Sequence, residues 1–181
     1  HYKQKVGMGQ MGSKQALLES IQPLQVMRNH LFINSGFGRF SEAAQLAGLA
    51  KSDWSWAVRF EDFDLDGRQD LFVTTGAIRS FNHADYESAV LPGITKWDRW
   101  KDTPPRPEEN LAFKNMGDYH FEKSAQEWGL DELTVSHGMA CGDLDGDGDR
   151  DLVITNVDGN ISLLKNTSSS SRVSIILDHP V

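Results

Sequence analysis

The chain has 181 residues, which is enough for one ordinary domain or for part of a larger protein. Hydrophobic residues make up 39% and charged residues 24%, as is typical of a globular protein. The net charge is −8, and neither a basic stripe nor a long apolar run is visible, so the sequence predicts no nucleic-acid partner and no membrane span.

The chain begins His1-Tyr2-Lys3, without Met or a signal peptide, and we expect it to be an excised or processed piece of a longer polypeptide. Residues 1–28 are interpreted as the end of a preceding repeat with its insertion. Within them, the segment from Ser13 to Ile21 predicts a short helix with Ser13 as its N-cap.

An internal repeat follows. Residues 29–75 align with residues 110–156 without a gap at an offset of 81, and 17 of the 47 positions are identical. Chance would give roughly three identities at average residue frequencies. The repeat is therefore not accidental, and each copy should form the same structural unit.

Each repeat is typical of β structure. In the first, four short segments rich in aromatic and β-branched residues predict strands at 31–34, 40–43, 56–63 and 71–75, with turns between them. Four strands joined by turns are typical of one propeller blade. We therefore expect an all-β fold of four-stranded antiparallel blades, a partial propeller that carries a partly helical insertion.

Both repeats contain an acidic loop of the form D-x-D-x-D-G-x-x-D-L, at 62–71 and 143–152. Four carboxylates within nine residues repel one another unless a cation neutralises them, and Ca²⁺ takes six to eight oxygen ligands in flexible geometry. Eight acidic residues occupy these recurring positions, so two Ca²⁺ ions would cancel half of the net charge. The predicted ligands are four Asp side chains and one backbone carbonyl per loop: Asp62, Asp64, Asp66, Asp70 and the Arg68 carbonyl in the first, and Asp143, Asp145, Asp147, Asp151 and the Asp149 carbonyl in the second.

Three alternatives to this type of calcium site were considered. An EF-hand needs Glu at position 12 of the loop, where this chain has Val73 and Ile154, and it needs flanking helices. Dockerin-like loops also precede helices and fit poorly. Asp and Gly could instead form simple turns without metal, since both residues favour turns for local reasons.

The insertion at 77–109 is the place where a catalytic site would be expected, because Asp85, Glu87, Asp98 and Arg99 lie there among aromatic residues. An ordinary surface loop is the simpler interpretation. The six His residues are scattered, and Ser55 and Ser136 recur without a G-x-S-x-G elbow. The sequence thus leaves open whether the chain is part of an enzyme and favours a non-enzyme.

Two further features have structural interpretations. Trp54 and Trp56 could stack sugar rings, but large aromatics more often fill the wedge between adjacent blades. The single Cys141 has no partner for a disulfide and is interpreted as a small buried residue beside the second loop.

The first repeat unit is assigned to 29–109, with its calcium loop at 62–70. The second unit is assigned to 110–166, with its calcium loop at 143–151. Asn160 to Asn166 is similar to the opening of another unit, and residues 167–181 are interpreted as a linker and the start of a further domain. In that tail, Arg172 to Leu177 predicts a strand.

The acidic loop and the apolar strand after it resemble the FG-GAP/VCBS repeat, the blade of integrin-type β-propellers. The order of Phe40-Ser41-Glu42, Leu46-Ala47-Gly48-Leu49, Asp53-Trp54-Ser55-Trp56 and Glu127-Trp128-Gly129-Leu130 resembles one bacterial group more closely. These are the secreted VCBS-repeat proteins related to cartilage acidic protein, which often end in an ASPIC/UnbV domain. The passage from Leu163-Leu164-Lys165-Asn166 to residues 172–177 resembles the entry into that domain.

The resemblance implies a calcium-stabilised propeller in an exported protein and no known catalytic residues. We expect an extracytoplasmic scaffold or recognition module for a protein or carbohydrate, packed against further blades or other chains. The alternative is part of a secreted polysaccharide-active or other enzyme, with catalytic residues in the insertion or in other parts of the protein.

Overall fold

The computed structural model describes residues 28–79, 95, 98, 101 and 103–170. The expected helix after Ser13, the strand at 172–177 and the insertion residues Asp85, Glu87 and Arg99 lie outside the described residues. Asp98 and Lys101 are helical, which agrees with a partly helical insertion.

The described residues form eleven strands, and every strand pairing is antiparallel. The prediction of an all-β fold is therefore confirmed. In chain order the strands are β1 (Phe32–Asn34), β2 (Phe40–Glu42), β3 (Ser55–Glu61), β4 (Asp70–Thr75), β5 (Glu108–Glu109), β6 (Leu111–Gly117), β7 (His120–Lys123), β8 (Leu133–Thr134), β9 (Ser136–Gly142), β10 (Asp151–Asn156) and β11 (Ser162–Leu164).

Two larger sheets dominate the fold. The first, sheet 1, has the strand order β3-β4-β6-β7, and the second, sheet 2, has the order β11-β10-β9. Strands β1 and β2 form a separate hairpin, and β5 pairs with β8. The acidic loops connect β3 to β4 and β9 to β10, so each loop lies at the same place in its sheet.

The sheets do not coincide with the sequence repeats, which corrects the expectation that one repeat forms one blade. Sheet 1 takes β3 and β4 from the first repeat and β6 and β7 from the second, with Leu71 of β4 opposite Phe113 of β6. The reason is that β4 is buried along its whole length and needs a partner strand on both edges. Within its own repeat β4 pairs only with β3, and β6 of the second repeat pairs with its other edge.

Apolar side chains pack on both faces of sheet 1. On one face, Leu71, Val73 and Phe113 form a cluster with Ala47 and Leu49 from the turn after β2. This first cluster joins the β1–β2 hairpin to sheet 1.

A second cluster joins the opposite face of sheet 1 to sheet 2. It contains Phe63, Phe72 and Ala112 on the side of sheet 1, and Leu152 and Ile154 on the side of sheet 2. Because Leu152 and Ile154 are the repeat equivalents of Leu71 and Val73, the two clusters use the same face of successive sheets. The equivalent face of each sheet therefore packs against the structural element that precedes it in the chain.

One glycine marks the closest approach between segments. Gly76 has a φ of +102°, and a Cβ atom placed there would lie 2.6 Å from the Thr134 carbonyl oxygen. Its own carbonyl accepts a hydrogen bond from the indole nitrogen of Trp56 at 2.6 Å. Glycine is required here because the backbone conformation disfavours L side chains and no space is left for one.

Candidate metal centre

The two acidic loops turn sharply at matching glycines. Gly67 has a φ of +86° and its equivalent Gly148 a φ of +91°. Two residues earlier, the first loop has Leu65 at +60° where the second has Gly146 at +79°. The left-handed backbone therefore belongs to the loop conformation itself, because it is adopted even where the residue is not glycine.

Each loop brings three carboxylates together. Ligand oxygens of Asp62, Asp64 and Asp70 lie within 4.8 Å of one another, and so do those of Asp143, Asp145 and Asp151. Calcium binds oxygens at about 2.3–2.6 Å, so two ligands of one ion can lie up to about 5 Å apart. The chemistry and spacing of both clusters therefore fit a hard divalent cation.

The last Asp of each loop is buried and joins the loop to the neighbouring strand. Asp70 accepts hydrogen bonds from the backbone N–H of Phe63 at 3.1 Å and of Asn115 at 2.8 Å. Asp151 accepts the equivalent bonds from Leu144 and Asn166, both at 2.8 Å. These bonds hold a carboxylate at a fixed position between loop and sheet.

The pKa of Asp70 is raised to about 6, chiefly by burial and also by the negative charges of Asp64 and Asp66, against the opposing effect of the hydrogen bonds from the backbone of Asn115 and Phe63. A carboxylate in this position is costly to ionise without a nearby positive charge. A bound dication would remove that cost.

The first Asp of each loop organises the backbone of the turn. Asp62 accepts the N–H groups of Asp66 at 3.0 Å and Gly67 at 2.9 Å, and Asp143 accepts those of Gly146 at 2.7 Å and Gly148 at 2.9 Å. The carboxylates are thus ordered by the loop that carries them.

A lysine approaches each cluster, Lys114 from β6 and Lys165 from the residue after β11. The Lys114 ammonium pairs with Asp64, and the Lys165 ammonium pairs with Asp145. Hydrogen bonds to these carboxylates raise the pKa of Lys114 and of Lys165. The ammonium groups show that both clusters attract a positive charge.

Sequence reasoning did not identify these lysines as part of the site. The insertion lies between the first acidic loop and Lys114, but no insertion lies between the second loop and Lys165. The two lysines are therefore 51 residues apart rather than 81. The signal was present as the repeated pair Lys114-Asn115 and Lys165-Asn166. The Asn side chains also match, since Asn115 donates to the Gln69 carbonyl at 3.0 Å and Asn166 to the Arg150 carbonyl at 3.4 Å.

The structure does not place the third Asp of either loop within its cluster. The Asp66 carboxylate pairs with the Arg68 guanidinium, and an oxygen of Asp147 lies 3.7 Å from the Lys165 ammonium. Asp149 is buried, whereas its equivalent Arg68 is exposed. Ligation by Asp66, Asp147 and the carbonyls of Arg68 and Asp149 stays a prediction.

Aromatic residues at the starts of β3 and β9 meet between the sheets. The ring centroids of Trp56 and His137 are 4.1 Å apart, and those of Trp54 and Trp56 are 6.2 Å apart. Trp56 contacts His137 where sheet 1 meets sheet 2, but 46% of Trp56 is exposed, so it is not the buried wedge residue that was expected. Burial lowers the pKa of His137.

Two residues considered for catalysis have structural roles. Ser136 is fully buried, accepts a hydrogen bond from Asn110 at 3.0 Å and donates one to Asn156 at 2.9 Å. Asp98 and Thr95 exchange hydrogen bonds as in a helix capping box, with Thr95 N–H to Asp98 at 3.2 Å and Asp98 N–H to Thr95 at 3.1 Å. The hydrogen bond from the Thr95 hydroxyl lowers the pKa of Asp98.

Cys141 lies partly buried beside the second cluster of apolar residues, and it forms no disulfide. Burial raises the pKa of its thiol. A raised pKa lowers the thiolate fraction, and so the reactivity of the thiol, at neutral pH.

Within the described ranges, no helix has the length and apolar character needed to cross a membrane.

The FG-GAP-like repeat family matches residues 24–73, which includes the first acidic loop and most of the first sequence repeat. No curated protein matches the chain. FG-GAP repeats are usually extracellular or surface domains and commonly bind calcium.

Proposed function

We propose that this chain is a calcium-binding β-propeller module with two structural Ca²⁺ sites. The observation that carries the proposal is the pair of carboxylate clusters at equivalent positions of sheet 1 and sheet 2. A single acidic turn can form for local reasons, but the same three-carboxylate geometry in two repeats favours a shared ligand.

The first site would be held by Asp62, Asp64 and Asp70, and the second by Asp143, Asp145 and Asp151. The ion would supply charge neutralisation and would fix the loop against the buried Asp at the start of the next strand. Asp66, Asp147 and the carbonyls of Arg68 and Asp149 would complete the two shells. Lys114 and Lys165 would then release the carboxylates they pair with.

The module would act outside the cytoplasm as a scaffold or as a recognition domain for a protein or carbohydrate. The similarity of residues 24–73 to FG-GAP repeats supports this role. Millimolar extracellular calcium would fill even weak sites of this type. The resemblance to secreted proteins related to cartilage acidic protein supports the further proposal that an ASPIC/UnbV-like domain follows the module.

Calcium titration by calorimetry tests the metal sites. We expect two Ca²⁺ per chain, and a higher melting temperature with calcium than with a chelator, because the ion neutralises clustered carboxylates. Asp64→Asn and Asp145→Asn each remove one negative charge from one cluster and should each reduce the stoichiometry to one.

Asp118→Asn is the matched control, because Asp118 lies in the β6–β7 turn at a φ of +48° that Asn tolerates. This variant should still bind two ions. If both cluster variants also bind two ions, the ligand assignment is wrong, and an unchanged melting temperature in chelator would contradict structural calcium.

Recognition is tested with the calcium-loaded protein on a glycan array and in pull-downs from extracellular protein extracts. We expect saturable binding without chemical turnover of the bound ligand. Turnover of a bound polysaccharide would support the enzyme alternative instead.

A further inference from the structure

Each acidic cluster contains a positive charge, which a lysine supplies from the same place in the fold. The Lys114 ammonium pairs with Asp64 of the first cluster, and the Lys165 ammonium pairs with Asp145 of the second. Asp64 and Asp145 occupy the same position of the two acidic loops. The same member of each cluster therefore has an ammonium group as its partner.

The backbone of sheet 1 fixes the point from which the first lysine extends. Phe113 lies opposite Leu71 in the pairing of β6 with β4. The N–H of Asn115 donates a hydrogen bond to the buried Asp70 at 2.8 Å. Lys114 lies between Phe113 and Asn115, so its backbone is anchored on both sides.

The second lysine is anchored in the same way in sheet 2. Leu164 lies opposite Leu152 in the pairing of β11 with β10. The N–H of Asn166 donates a hydrogen bond to the buried Asp151 at 2.8 Å. Lys165 lies between Leu164 and Asn166. A chance surface ion pair would not be expected to recur with the same two anchors.

Other basic residues at the loops do not recur in this way. Arg68 pairs with Asp66 in the first loop, but its repeat equivalent is the acidic Asp149. Arg150 of the second loop has the uncharged Gln69 as its equivalent. The lysine position thus keeps its charge where these two loop positions do not, which ties the lysine to the cluster itself.

The ammonium group and a calcium ion require the same carboxylate oxygens. When no calcium is bound, the ammonium offsets part of the repulsion among three clustered carboxylates. Calcium affinity rises with the negative charge that a site offers, so a lysine charge held inside the site lowers it. The Lys114 side chain is 31% exposed and that of Lys165 is 59% exposed, so either ammonium can move into water on its flexible stem when calcium enters.

We propose that Lys114 and Lys165 are internal counter-cations, which hold the acidic loops when calcium is absent and compete with calcium for the same carboxylates. The inference rests on the proposed function, since it takes the two clusters to be calcium sites. Each lysine then sets the calcium affinity of its own site. The chain stays folded where calcium is scarce, and its sites fill where calcium is abundant.

Melting in a chelator tests the first half of the inference. Lys114→Met and Lys165→Met remove the charge and keep an unbranched apolar side chain. We expect each to lower the melting temperature by roughly 2–4 °C, because the carboxylates lose their counter-charge. Lys123→Met is the matched control, since Lys123 is an exposed lysine of the adjacent strand β7 and lies opposite Phe113. This control should melt as the unmodified chain does.

Calcium titration of single-site proteins tests the second half. Asp145→Asn leaves the first site alone, and Asp64→Asn leaves the second. Adding Lys114→Met to Asp145→Asn should tighten calcium binding by roughly threefold to tenfold, because calcium no longer displaces an ammonium. Adding Lys165→Met to Asp64→Asn should tighten it by less, since the second lysine is more exposed to water.

The two proposals fail in different ways. If the unmodified chain binds no calcium, the proposed function fails and the competition fails with it. If the chain binds two ions but neither lysine variant changes the affinity of its site, the competition alone is overturned. The counter-cation role is overturned if both variants melt in chelator as Lys123→Met does. If Lys114→Met does not fold, the more exposed Lys165→Met decides.

Discussion

At the scale of single residues, Glu108 lies in a compact group of charges where the insertion meets sheet 1. One nitrogen of the Arg106 guanidinium lies 2.8 Å from Asp53 and also pairs with Glu108. All three side chains are largely buried. Burial raises the pKa of Glu108 to about 7, and the charge of Asp53 adds to the effect while Arg106 opposes it.

This shift makes part of the stability depend on pH. Below pH 4.5, Glu108 is protonated in both the folded and the unfolded chain. Between pH 4.5 and about 7, the folded chain keeps a proton that the unfolded chain has released, so the free energy of unfolding falls as pH rises. Above this range the contribution is lost.

We predict that Glu108→Gln raises the free energy of unfolding at pH 8, by roughly 1–3 kcal/mol from the size of the shift, and has little effect near pH 4. Urea unfolding of both proteins in saturating calcium measures the difference. Glu109→Gln is the control, because it removes the same charge from an exposed neighbour outside the buried group. A Glu108→Gln effect of equal size at both pH values would contradict the assignment.

The acidic loops show how much of a site can be predicted from residues alone. The D-x-D-x-D-G spacing predicted that alternate carboxylates converge, and Asp62 and Asp64 do lie together with Asp70. Asp66 was expected beside them but pairs with Arg68. That competition was not predictable, because it depends on the rotamers of two adjacent exposed side chains rather than on spacing.

At the scale of elements, the strands were predictable but their grouping into sheets was not. Segments rich in aromatic and β-branched residues, together with the repeat, predicted four strands in each copy, near the positions of β1 to β4 and of β6, β7, β9 and β10. Which strands pair depends on contacts between residues far apart in sequence, such as Leu71 with Phe113. A local pattern does not contain that information.

The grouping of strands into sheets predicts different stability losses when two equivalent phenylalanines, Phe113 and Phe32, are replaced. Phe113→Ala should lower the free energy of unfolding by about 3–5 kcal/mol, because it leaves a cavity in the first cluster. Phe32→Ala should cost less than about 1 kcal/mol, because the side chain is exposed in the single chain. Urea unfolding at low protein concentration measures both, and equal costs would contradict the division of the repeats between sheets.

At the scale of the whole molecule, the all-β repeat fold followed from the sequence, whereas the boundaries assigned to the repeat units stay predictions. The insertion was recognised as an interruption of the repeat, yet the two hydrogen bonds between Ala77 and Arg106 that join its two ends were not predicted. Those contacts depend on where the chain returns to the sheet.

Sheet 1 contains strands from both repeats, and this affects how the chain can fold while it is being made or exported. When β3 and β4 emerge, the edge of β4 has no partner until β6 follows, and the whole insertion must emerge in between. During that interval an apolar hairpin is exposed, which is the condition in which chains aggregate. On the proposal that the first loop binds calcium, the ion would hold this loop closed during the delay, so the loop would act first as a nucleation point and only later as a structural clip.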